Sequence, residues 1–156
     1  YSDYTFEVDF LIAGNKFEIR NVVDKIYRTD SKRKVVKEKI NDKSIEVAGE
    51  EALRLANKHG KGWFALLITD QLVYNTYFPE YILKALVFSS PHINDSTVVK
   101  AILYRLKQIS LNEKDDDCDK AKKLLKSLLD KTSVEIIDEF KKEFSKDQLT
   151  WFIDNL

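Results

Sequence analysis

The sequence predicts a mainly helical fold: an antiparallel array of six to seven helices, preceded by a short N-terminal β-hairpin. Three observations lead there. From Ser44 onward apolar residues recur at intervals of three and four, the spacing of one helix face. Capping residues, glycines and prolines cut that stretch into segments of ordinary helix length. Before it, residues 5–20 alternate polar and apolar around Gly14-Asn15, the pattern of two strands and a tight turn.

The hairpin is expected over residues 1–23. Pairing Ala13 with Lys16 sets Ile12 opposite Phe17, Phe10 opposite Ile19 and Asp9 opposite Arg20, giving one apolar face and one ion pair. Tyr4, Val8, Leu11 and Ile12 also fit one helical face, which is the rival reading. Residues 24–43 fit both periods equally and stay unassigned.

Residues 44–156 form the helical array. Ser44 caps a helix carrying Ala48, Ala52 and Ala56 in one small-residue row, and Gly60 stops it. Trp63 to Tyr74 is apolar on nearly all sides, which predicts a helix surrounded by others. Pro79 opens the next. Asp95 or Ser96 caps a helix with Val99, Ile102, Leu103, Leu106 and Ile109 inward. Asp115 to Asp119 start another, suited to the helix dipole, with Ala121, Leu124, Leu125, Leu128 and Leu129 as its stripe. Thr132 or Ser133 caps the next, over Val134, Ile137, Phe140 and Phe144, and Ser145 caps the last, over Leu149, Phe152, Ile153 and Leu156. No repeat or linker interrupts the 156 residues, so a single domain is expected.

Composition restricts the function. Twenty-six basic and twenty-six acidic side chains cancel, leaving no net field to attract nucleic acid or an anionic membrane. Residues 61–112 carry the fewest charges and are the candidate core. Their longest charge-free stretch, Ala85 to Asn94, is far short of the roughly 20 residues a spanning helix needs. With no methionine anywhere, Tyr1 reads as something other than the natural start. No segment has the character of a signal peptide and Cys118 is the sole cysteine, which together point to the cytoplasm.

Several constellations could carry chemistry. Gly60-Lys61-Gly62 precedes a helix and could hold an anion, but the Lys is not followed by Ser or Thr as nucleotide loops require. His59 and His92 lack ligand spacing, so no metal is expected. Cys118 stands among carboxylates that oppose a thiolate. Asp70, in the most apolar helix, needs a partner if it faces inward, and Lys84 or Arg105 could supply one. His59, Lys61 and Asp70 are thus the pocket candidates. Arg28, Lys32, Arg33, Lys34 and Lys37 form the strongest basic run, interleaved with acids and without aromatic stacking groups. Tyr74, Tyr77, Phe78 and Tyr81 gather around Pro79 as interface candidates.

The expected function is a protein interaction or scaffolding domain, an accessory part of a larger assembly, with a protein partner and no cofactor. Nucleic-acid binding through residues 28–43 ranks second, and an enzyme with a pocket near Asp70 third.

Overall fold

Burial decides the architecture of the N-terminal residues. The structure, a computed structural model describing residues 4–156, forms α1 over Phe6–Ile12 and α2 over Lys16–Ile26. The hairpin expected at 1–23 is therefore corrected to a pair of helices, its residues 1–3 lying outside the described residues. A hairpin would bury Ile12 with Phe17, yet these stand 43% and 66% exposed. The buried rows are Val8 and Leu11 on α1 and Ile19, Val22 and Val23 on α2, which follow the helical period. A short alternating run that also fits a helix does not fix the period by itself.

The turn between them is not a hairpin tip. Gly14 takes φ 111°, a region that favours glycine. Asn15 is buried, and its side chain acts as a clamp. Its Nδ2 donates to the Phe10 carbonyl at 2.9 Å and the Tyr77 carbonyl at 2.5 Å, while its Oδ1 accepts from the Tyr77 backbone N–H at 2.8 Å.

The chain divides into two compact units, Tyr1–Ile82 and Leu83–Leu156. In the first, α3 (Asp30–Ile40) occupies most of the segment left unassigned by sequence and buries Val36 and Ile40. Helix α4 (Ile45–Lys58) starts where expected, with the Ser44 hydroxyl accepting from the Val47 N–H at 3.4 Å. Its alanine row is fully buried, and a Cβ added to Gly49 would lie 3.1 Å from a Val8 methyl of α1. Small residues bring the two helices together. Because α4 packs on α1, α3 and α5, it takes the central position.

That position was expected for residues 63–74. Helix α5 instead runs Lys61–Thr69 and buries only Phe64 and Ile68, leaving Trp63 and Leu66 exposed. Asp70 ends the helix at its C-cap.

Helix α6 (Glu80–Ser89) follows Pro79, whose carbonyl accepts from the Ile82 N–H at 2.9 Å, and the division between the units falls inside it. In the second unit α7 (Asp95–Leu111) packs on α8 (Cys118–Ser127) and α9 (Ser133–Glu143), and α10 (Gln148–Asp154) closes the chain. Its interior holds Val98, Ile102, Leu106, Ile109, Leu124 and Phe140. Val99 and Leu103 are not buried, since the face is turned by one residue toward Val98. The α7 cap is Asn94, whose Oδ1 accepts from the Thr97 N–H at 3.0 Å. Thr132 and Glu135 cap α9 reciprocally, the pattern that satisfies two terminal donors at once. Asp147, not Ser145, caps α10, and it also receives Arg105 at 2.8 Å.

Ten helices and no strand are found among the described residues. The number exceeds six to seven because residues 6–40 supply three helices where a hairpin and an unassigned segment were expected. Among the described residues no helix is long and apolar enough to cross a membrane.

Candidate functional site

The basic run lies just before and along α3, and its members face different surroundings. Arg33 turns toward α2: its Nε donates to the Tyr27 carbonyl at 2.7 Å, and the guanidinium pairs with Asp30 at 3.1 Å and Asp24 at 3.9 Å. Lys37 pairs with Asp24 at 2.7 Å. A groove between α2 and α3 is thus filled by mutually neutralising charges, with Lys34 and Glu38 at its edge. Arg28 and Lys32 are exposed. Since a phosphate backbone must compete with Asp24 for Arg33 and Lys37, the segment is a weaker anion surface than its composition suggests.

On the opposite side of α3 lies a second groove, of about 770 Å³, closed by α4. Lys32 and Val35 line it from α3, Arg54 and Lys58 from α4, and Tyr27 from the turn after α2. Lys58 Nζ sits 3.3 Å from the Tyr27 ring centroid, a cation–π contact. The Tyr27 hydroxyl is buried. Arg54 is its polar neighbour, and the contact favours the charged guanidinium. The larger influence on Arg54 is Glu51, which hydrogen-bonds it through both carboxylate oxygens and holds its pKa above the ordinary value. Glu51 is itself buried and also faces Lys39 at 3.7 Å.

His59, Lys61 and Asp70 are not brought together. Lys61 opens α5 and Asp70 caps its other end, so nine residues at 1.5 Å each separate them by about 13 Å along the axis. Lys61 pairs with buried Glu7 at 3.4 Å, and Asp70 is exposed and pairs with Lys25 at 3.1 Å rather than with Lys84 or Arg105. His59 is exposed at the C-cap of α4. Asp70 was singled out because its helix is apolar; the helix ends one residue earlier and releases it to the surface.

The aromatic group around Pro79 is half open. Tyr77 and Phe78 are 50% and 45% exposed, while Tyr74 and Tyr81 are intermediate. Leu72, Val73, Leu86 and Phe88 extend the exposed apolar run along the chain, Phe88 at 88%. None of the ten residues of α6 is buried.

No family model, curated protein or solved structure matches this chain. The side chains themselves carry the reading.

Sequence reasoning missed the carboxylates that are buried: Glu7, Glu18 and Glu51. Their positions held the signal. Glu51 stands three after Ala48 and four before Leu55, and Glu18 four before Val22, so each lies on an inward face. Glu18 accepts from the Thr76 hydroxyl at 3.2 Å. Buried Cys118 directs its thiol at the Ser110 carbonyl, 3.4 Å away. Among the described residues no three His, Cys, Asp or Glu converge as a metal site.

Proposed function

We propose that the chain is a protein-interaction domain, an accessory part of a larger assembly, whose contact element is the exposed end of α6 at Leu86 and Phe88. The observation supporting this is α6: apart from Glu80, Lys84 and Ser89 it is apolar throughout, yet none of its residues is buried. Apolar surface in water is unfavourable by about 25 cal/mol per Å², and a contiguous patch is the usual mark of a surface meant to be covered. Aromatic side chains in the same segment suit the anchoring role. A single buried cysteine needs no oxidising compartment, and the cytoplasm is the setting we favour. Nucleic-acid binding through α3 ranks lower because Asp24 neutralises two of its cations. The enzyme reading has no assembled acid–base group among His59, Lys61 and Asp70.

The test places a photo-crosslinking phenylalanine analogue at Phe88 and, as control, at exposed Lys123. A partner captured at Phe88 alone is purified and titrated against the intact chain. It is expected to bind saturably and to lose about tenfold or more in affinity against Leu86→Asp and Phe88→Asp, with the circular dichroism of both variants unchanged. Equal capture at both positions, or equal affinity for the variants, overturns the reading.

A further inference from the structure

Helices α4 and α8 carry faces that match one another in spacing and in charge, and the α6 contact uses neither. We propose that a second copy of this chain docks its α8 into the groove between α1 and α4, so that copies join head to tail.

The groove holds about 410 Å³ between the start of α1 and the outer face of α4. Gly49 makes the hollow. It has no side chain to fill the space between Ile45 and Leu53, one turn away on either side, and a Cβ there would meet a Val8 methyl at 3.1 Å. The floor is therefore apolar and Ile45 stands half exposed at its edge. Glu46 and Glu50 form the rim. They are exposed and one turn apart, and neither makes an ion pair or side-chain hydrogen bond among the described residues. Like charges at that spacing repel, and no basic residue is among the described residues that line the groove. The site thus asks for a helix that brings two cations one turn apart together with an apolar side chain, the helix-in-groove mode of recognition.

This chain carries such a helix. Lys122, Leu125, Lys126 and Leu129 recur at three and four, which places them on one face of α8. Leu128, at the C-cap, keeps helical backbone angles, so Leu129 follows on that face. Leu129 is 88% exposed, and both lysines are exposed. Lys126 makes no ion pair among the described residues, and Lys122 lies beside the Cys118 thiol and 4.0 Å from exposed Asp119, both on its own helix. Since Lys122 and Lys126 are spaced as Glu46 and Glu50 are, both pairs can meet at once while Leu129 enters the hollow over Gly49. The two faces are different surfaces, so each docked copy still offers a free groove and a free α8, and association extends into chains that lengthen with concentration.

Sedimentation velocity of the full chain, from about 0.02 to about 1 mM, tests this. The sedimentation coefficient should rise with concentration in about 50 mM salt and fall back toward the monomer value in about 0.5 M, where exposed charges are screened. Glu46→Lys with Glu50→Lys is one variant, and Lys122→Glu with Lys126→Glu is the other. Each alone sets like charges against each other and should sediment as a monomer throughout. An equimolar mixture should associate again, because each altered face then meets its opposite, a recovery that misfolded variants would not give. Leu129→Ser should weaken association severalfold. Leu86→Asp and Phe88→Asp should leave it unchanged, which separates this contact from the α6 reading. The proposal is overturned if the unaltered chain stays monomeric, which would leave the groove to a segment of another protein, if either charge variant still associates alone, or if the mixture remains monomeric.

Discussion

The buried polar residues of the first unit are where single side chains carry the most weight. Burial alone would raise the pKa of Glu7, but its own backbone N–H, the Thr5 hydroxyl and the Lys61 ammonium outweigh it and hold the carboxyl below its ordinary value. A carboxylate with a folded pKa below the unfolded one, about 4.3, stabilises the fold above that value. It loses the contribution as pH falls through the folded pKa. Urea unfolding followed from about pH 6 to about pH 3 should therefore show declining stability, with a shallower decline in Glu7→Gln; parallel curves would refute the assignment. Asn15→Ala removes three hydrogen bonds at once. At about 1 kcal/mol each, and with a buried N–H and two carbonyls left wanting, the expected cost is about 2–3 kcal/mol. An unchanged urea midpoint would show that water replaces the clamp without penalty.

At the scale of elements, Gly60 and Gly62 flank the start of α5 and should respond oppositely. A Cβ meets nothing within 4 Å at either position, but only Gly60 has positive φ, at 91°. Gly60→Ala should cost about 1–2 kcal/mol of backbone strain. Gly62→Ala should add about 0.5 kcal/mol by restricting the unfolded chain. Thermal melts moving in the same direction would contradict this. Legibility followed the strength of local signals. Helices α4 and α9 were readable because a Ser or Thr cap stands directly before a periodic row. Helices α1 and α2 were not, because their short apolar runs satisfy both periods and only tertiary burial of Val8, Val22 and Asn15 decides between them. The extent of α5 was overread because apolar residues continue past Thr69 while the backbone turns at Asp70. The groove between α3 and α4 was half visible: Arg54 and Lys58, four apart, share a face of α4, but their counterparts Lys32 and Val35 meet them only once residues 30–40 are helical.

For the molecule as a whole, sparse charge proved to mean apolar surface as well as interior. Residues 61–112 read as the core, yet they include α6, whose residues are all unburied, and exposed Trp63 and Leu66. One deep interior lies outside that stretch, around α4, and the other lies within it, around α7. Leu106 of α7 is fully buried, and Leu106→Ala should cost about 2–5 kcal/mol. Native-state hydrogen exchange is expected to show that loss in α7, α8 and α9, with amides of α2 to α4 keeping their protection. Equal loss throughout would make the two units one cooperative block. The Asn15 clamp also bears on the order of events during folding. It joins positions 62 residues apart, whereas the contacts between successive helices close much shorter loops, and a long loop is closed at greater entropic expense. The clamp should therefore form after the rate-limiting barrier. Losing it would hasten unfolding and leave the refolding rate nearly as it was, so that Asn15 governs how long the native state lasts more than how quickly it is reached.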